Sequence, residues 1–101
     1  MSSRSKHVVG IGWYSADQWT MLKLTADDSS ALDSSYEAWL AQAERTFAQV
    51  SQRTDIRAVK VHVDVHAMRQ WCLSRGRPLD APARADYLAE TVRATEGGRE
   101  A

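Results

Sequence analysis

The sequence has little of what marks secreted, membrane or nucleic-acid-binding proteins. It contains one cysteine, Cys72, so no intrachain disulfide can form, and this favours a reducing compartment. Its 13 basic and 13 acidic residues cancel, whereas proteins that neutralise many phosphates usually carry a basic excess. Every apolar run is shorter than the about 20 residues that cross a bilayer. We therefore expect a cytoplasmic protein that binds neither nucleic acid nor membrane.

Motifs of known catalysis and cofactor binding are also absent. The chain has no Gly-x-Ser-x-Gly sequence, no phosphate-binding loop and no paired-cysteine motif. The glycines at 10 and 12 lack the third glycine and the long following helix of a dinucleotide site. The sequence therefore predicts no cofactor, and it leaves open whether the protein is an enzyme.

The first half predicts one strand followed by two helices. The run from Val8 to Tyr14 is rich in β-forming residues, and its alternate glycines leave a bare face against which something packs closely. Ser15 is placed to cap a helix over residues 16–24, with Gln18 completing a capping box. Ser34, with Glu37 three residues on, predicts a second and longer helix that ends near residue 53.

The second half predicts the same order of elements. Residues 58–65 alternate valines with polar residues, which indicates a strand with Lys60, His62 and Asp64 on its solvent face. A third helix carries Met68, Trp71 and Cys72 on its apolar side and ends at Gly76. A fourth helix opens at residues 80–82 and continues to about residue 95.

These elements predict a single α+β domain over residues 7–96, with flexible tails at 1–6 and 97–101. Two short strands and four helices follow in a βααβαα order. An offset of 52 residues aligns the two halves as a possible βαα pseudo-repeat, with Val9 on Val61 and Trp19 on Trp71. Identities between the halves are few, and two threonine mismatches in the fourth helix favour chance matching of amphipathic elements over duplication. A lone strand pair is marginal in water, so we favour a homodimer that extends the sheet.

Three polar residues at alternate positions form the one candidate metal site. His62, Asp64 and His66 offer two imidazoles and a carboxylate, which are ligands for zinc or ferrous iron. The simpler interpretation is that polar residues occupy the solvent face of the strand and that Asp64 caps the third helix. The sequence favours the simpler interpretation, so we predict no metal.

The aromatic residues and Cys72 admit a structural and a functional role. Cys72 lies on the apolar stripe of its helix, which indicates a buried thiol rather than a nucleophile. The four tryptophans predict core packing, with an aromatic-lined pocket as the alternative. Arg75, Arg77 and Arg84 surround the turn before the fourth helix. In the structural interpretation, Arg75 complements the C-terminal end of the third helix dipole and the other two are solvated. In the functional interpretation, the three arginines contact an anion. The candidate ligand-binding residues are Trp13, Tyr14, Asp64, His66, Trp71, Arg84 and Tyr87.

Several short motifs spread over residues 8–95 resemble an uncharacterised family of small bacterial proteins, about 100 residues long. They are Gly-Trp-Tyr at 12–14, Tyr-Glu-x-Trp-Leu at 36–40, Val-Asp-Val at 63–65, Trp-Cys at 71–72 and Arg-x-x-Tyr at 84–87. The resemblance implies a compact bacterial domain of unknown function and assigns no catalytic residue.

Two functional hypotheses from different classes follow. The first is a non-catalytic protein-interaction or regulatory module, which binds a second copy of itself and an unidentified protein. The second is a small enzyme or ligand-binding protein with an aromatic-lined pocket. The missing catalytic motifs, the neutral charge and the undersized sheet favour the first.

Overall fold

The computed structural model describes residues 7–100, and the side chains of residues 7–95. Its elements are β1 (His7–Trp13), α1 (Ala16–Thr25), a 3-10 turn (Ser29–Ala31), α2 (Tyr36–Ser51), β2 (Ile56–His62), α3 (Val65–Ser74) and α4 (Ala81–Glu100). The predicted α+β class and βααβαα order are confirmed. Of the predicted tails, residues 1–6 and residue 101 lie outside the described residues, whereas α4 continues past Gly97 to Glu100.

The two strands form a parallel pair. His7 lies opposite Ile56 at one end and Trp13 opposite His62 at the other. Parallel strands need a long crossover connection, which α1 and α2 provide. β2 begins earlier than the predicted 58–65 and also ends earlier. The earlier end follows because Asp64 caps α3 and is not part of the strand.

Each face of the strand pair carries one of the long helices, with α2 packed on β2 and α4 packed on β1. As the alternating glycines predict, α4 packs closely against the bare face of β1. A Cβ atom added at Gly10 would lie 2.5 Å from Val92 Cγ2, and one added at Gly12 would lie 3.3 Å from Leu88 Cδ1. On the other face, Lys60 and His62 of β2 are exposed, as predicted, although α2 packs against part of that face. Lys60 Nζ lies 4.3 Å from the ring centroid of Trp13, so its aliphatic stem packs against aromatic rings.

The pseudo-repeat is present in the architecture, but its predicted register is wrong. An offset of 49 residues, not 52, maps β1 onto β2 and α1 onto α3, and it sets the cap Ser15 on the cap Asp64. Trp19 then corresponds to Met68 rather than Trp71. The tryptophan match misled the alignment because equivalent core positions of the two units carry different side chains.

Local hydrogen bonds explain where the helices begin. The hydroxyl of Ser15 accepts from the Gln18 N–H, and the carboxylate of Asp64 accepts from the Ala67 N–H, as predicted. The second helix is capped by Ser35, one residue after the predicted Ser34, through the Ala38 N–H. The capping box that joins Ser15 and Gln18 is also incomplete, because the Gln18 side-chain oxygen instead accepts from the Val65 N–H at 2.6 Å.

We expect Gln18→Ala to lower the free energy of unfolding by about 1 kcal/mol, because it leaves a backbone donor in the first turn of α3 without its partner. Chemical denaturation monitored by circular dichroism measures this loss. Gln70→Ala is the matched control, since Gln70 is an exposed residue on the same helix that Gln18 caps. An equal loss in both variants would contradict a capping role for Gln18.

The core lies between the α1–α3 layer and the first turns of α4. Val65, Met68 and Ala83 are completely buried there, together with the nearly buried Trp19 and Leu22. The thiol of Cys72 also lies in this core, as predicted, and burial raises its pKa, which favours the unreactive protonated form.

Candidate interaction surface

One aromatic cluster joins β1 to α2. The ring centroid of Trp39 lies 5.8 Å from that of Trp13, 5.3 Å from that of Tyr14 and 5.7 Å from that of Tyr36. Phe47 extends the cluster, 6.1 Å from Trp13. The Tyr36 hydroxyl donates to the Tyr14 carbonyl oxygen, and burial raises the pKa of the Tyr14 phenol. These rings pack against each other, which supports the core role of Trp13 and Tyr14 rather than a pocket.

A second aromatic group joins α3 to α4. The rings of Trp71 and Tyr87 meet edge to face at 5.5 Å, and the Trp71 indole N–H donates to Glu90. The Arg75 guanidinium covers Trp71 at 4.3 Å from the ring centroid and donates to the same carboxylate. Trp71 is therefore covered and hydrogen-bonded. Sequence reasoning missed Glu90, which nothing in the local pattern distinguishes from an ordinary surface glutamate.

Arg84 forms a structural ion pair. Its two terminal nitrogens donate to the two carboxylate oxygens of Asp28, at 2.8 and 3.0 Å. Asp28 also accepts from the Ala81 N–H at the start of α4, and the guanidinium of Arg84 lowers the pKa of the Asp28 carboxyl. The solvated role predicted for Arg84 is wrong, since its side chain is only 14% exposed.

The neighbouring residues support the same connection. The Asp27 carboxylate accepts from the Leu79 N–H at 2.6 Å, and its own N–H donates to the Leu79 carbonyl oxygen. Arg77, predicted to be solvated, forms an ion pair with Asp86. The two aspartates that follow α1 therefore hold the segment that leads into α4. The sequence had indicated only a polar loop there.

The candidate metal ligands have separate places. His62 ends β2, Asp64 caps α3 and His66 lies in the first turn of α3, with both histidines exposed. Burial raises the pKa of the Tyr87 phenol, and the negative charge of Asp64 raises it further. Within the part of the chain that the structure describes, no group of three His, Cys, Asp or Glu side chains could hold a metal ion.

Three cavities that open on the described part of the surface have none of the candidate ligand-binding residues in their lining. One of them, the β1 groove, has a volume of about 460 Å³ and runs between β1 and α4. Its lining residues are His7, Val8, Val9, Gly10, Ala85, Leu88, Ala89, Val92 and Arg93. A cavity of about 190 Å³ lies between β2 and α4, and one of about 150 Å³ lies beside Cys72. Aliphatic and polar side chains line all three, so the aromatic residues surround no cavity among them.

The β1 groove follows the outer edge of the sheet, where no strand among the described residues lies beside β1. The His7 N–H donates to the Asp55 carbonyl oxygen, and the Val63 N–H donates to the Trp13 carbonyl oxygen. Since N–H and C=O of one residue point to the same side of a strand, residues 7, 9, 11 and 13 face β2. The outer edge therefore presents the backbone groups of Val8, Gly10 and Gly12.

The two outer edges of the sheet differ in charge. β1 contains no Lys, Arg, Asp or Glu, whereas β2 carries Arg57 and Lys60. Charged side chains, especially lysine, are a common device that keeps an edge strand from pairing with another chain. β1 itself lacks this protection, and the β1 groove beside it is lined mainly by apolar residues, with His7 and Arg93 as its polar members.

The fold and this surface define a small α+β protein with a two-stranded parallel sheet and one uncharged, open edge. No protein-family model matches the chain, and neither the curated proteins nor the solved structures contain a match to it. The resemblance to a family of small bacterial proteins therefore stays a prediction. No helix in the described part of the chain is long and apolar enough to cross a membrane.

Proposed function

We propose that this protein is a non-catalytic interaction module of the cytoplasm, which pairs with a second copy of itself and binds another protein. The observation that carries the proposal is the open edge of β1, which is free of charged residues and flanked by the β1 groove. Such an edge offers main-chain hydrogen bonds for affinity and an apolar groove for specificity, as in other proteins that bind by strand addition.

The size of the sheet supports the proposal. A two-stranded sheet is marginal in water, and pairing with another strand would satisfy backbone groups that otherwise depend on solvent. The contrast with β2 supports the choice of edge, because the charges of β2 disfavour pairing there.

The alternative function, an enzyme or ligand-binding protein with an aromatic-lined pocket, has less support. Trp71 and Tyr87 pack against each other, Asp64 caps a helix, and Arg84 is held by Asp28. Each of these groups already has a structural partner, and no observation favours a substrate among them.

We expect Ala89→Lys to weaken self-association of the protein at least about tenfold, which corresponds to about 1.4 kcal/mol. Ala89 is exposed on α4 and lines the β1 groove, so a lysine there places a charge in the proposed interface without touching the core. Light scattering coupled to size-exclusion chromatography over a range of concentrations measures the change.

Ala94→Lys is the matched control, since Ala94 is an exposed alanine of the same helix that does not line the groove. Its dimer affinity should equal that of the unmodified protein. A monomer at every concentration, with rapid amide exchange at Gly10 and Gly12, would contradict the proposal.

A further inference from the structure

We infer that the β1 edge pairs with β1 of a second copy, antiparallel, about a two-fold axis at Gly10. The result is a continuous four-stranded sheet in the order β2-β1-β1-β2. This inference rests on the proposed function and specifies its partner, register and helix contacts.

The outward backbone groups fix the register. In an antiparallel pair, two residues that exchange both hydrogen bonds must each point N–H and C=O across the gap. On β1 these are Val8, Gly10 and Gly12. When the whole strand pairs with its own copy, Gly10 lies opposite the partner's Gly10 and Val8 lies opposite the partner's Gly12. Every outward backbone N–H and C=O of β1 can then form a hydrogen bond.

The position of α4 is compatible with this register. Val92 lies over Gly10 and Leu88 over Gly12, so α4 runs in the opposite direction to β1, and its segment 88–92 lies level with the axis. The two copies of α4 would then lie side by side on one face of the sheet, in opposite directions. Ala85 and Ala89 line the side of α4 that faces the groove, and their small side chains permit two helices to approach closely.

Charge on α4 favours a second copy of this chain over an unrelated strand. Asp86 and Arg93 are exposed and lie at the two ends of the helix segment at the axis, with one carboxylate oxygen of Asp86 bound by Arg77 of its own chain. Reversal of the direction of α4 in the partner brings Arg93 towards the partner's Asp86, twice in the dimer. The same surface is thus complementary to itself, as a closed two-fold interface requires.

Cysteine pairs on β1 test the register. With the axis at Gly10, Val9 lies opposite the partner's Ile11 in a pair without backbone hydrogen bonds, with Cα atoms about 4.5 Å apart, close enough for a disulfide. We expect a mixture of Val9→Cys and Ile11→Cys chains to form a disulfide-linked dimer under mild oxidation. Neither variant alone should do so, and the unmodified protein is the control for the buried Cys72.

The outcomes separate the inference from the proposed function. A disulfide in the Val9→Cys sample alone, or in the Ile11→Cys sample alone, would move the axis to that residue and overturn the inference, while edge pairing and the proposed function would stand. No disulfide in any sample, although Ala89→Lys still dissociates the protein, would also overturn it. In the unmodified protein, amide exchange at Gly10 should slow at least about tenfold between dilute and concentrated samples, and unchanged exchange would again overturn the inference.

Discussion

Gly10→Ala is expected to lower the free energy of unfolding by about 2 kcal/mol. The added methyl group would lie 2.5 Å from Val92 Cγ2 and 3.1 Å from Val61 Cγ2, between the sheet and α4. Both neighbours are branched at Cβ and have little freedom to move aside. Either α4 shifts away from β1 or the two valines adopt strained rotamers. Denaturant unfolding at one fixed protein concentration measures the loss, since self-association contributes to stability.

Gly12→Ala is the matched control. Its Cβ would meet the Cδ1 atom of Leu88 at 3.3 Å, the far end of a flexible side chain that can rotate away. Alanine also reduces the freedom of the unfolded chain, so the net change should stay within about 0.5 kcal/mol. A second substitution, Val92→Ala, should recover part of the stability that Gly10→Ala loses. Equal effects at both glycines, or no recovery, would show that the approach of α4 is not what requires Gly10.

Asp28→Ala is expected to lower the free energy of unfolding by about 3 kcal/mol. The substitution removes both acceptors of Arg84, whose side chain is 14% exposed, and the acceptor of the Ala81 N–H. A largely buried guanidinium left without its counter-ion costs more than the pair itself contributes. Thermal or denaturant unfolding measures the loss, and a double-mutant cycle with Arg84→Ala isolates the coupling.

Asp55→Ala is the control for the ion pair, because Asp55 also meets an arginine, Arg53, through two hydrogen bonds. Both side chains of that pair are mainly solvated, so its loss should change stability little. We attribute the large effect of Asp28 to the position of its ion pair between α1 and α4. An equal loss of unfolding free energy in Asp55→Ala would contradict this explanation.

The same carboxylate predicts how stability depends on pH. Arg84 lowers the pKa of folded Asp28 below its ordinary value of 3.8, so the unfolded chain binds a proton at a higher pH than the folded one. Its stabilising contribution is complete above the unfolded pKa and is lost as the pH falls through the folded pKa. In Asp28→Asn, the decline of stability below about pH 4 should therefore be shallower than in the unmodified protein.

The order of the elements and most of their boundaries could be predicted from short-range patterns. The alternating valines of β2, the cap Asp64 and the left-handed Gly76 each depend on neighbours within a few residues. The cap of α2 was misplaced by one residue because Ser34 and Ser35 are adjacent and either hydroxyl can cap. The predicted offset of 52 residues aligns Trp19 with Trp71, whereas the elements themselves align at 49 residues, because equivalent core positions carry different side chains.

The candidate site was less predictable than the fold. The sequence predicts ligand-binding roles for Trp71, Tyr87 and Arg84 from their chemistry, but each of them contacts a structural partner in the fold. The β1 groove involves aliphatic side chains and backbone groups of one strand edge, which carry no chemical signature in a sequence. The alternate glycines of β1 were the one available signal, and they indicated close packing rather than an interface.

The sequence by itself determined the local structure, because helix periodicity, strand alternation and caps are properties of residues close together in the chain. Only the tertiary structure decided that the strands run parallel, that Gln18 caps α3, and that Asp28 holds Arg84 across 56 residues. It also decided that a mostly apolar groove lies beside the outer edge of β1. Such relations depend on how distant segments meet, and no spacing along one segment encodes them.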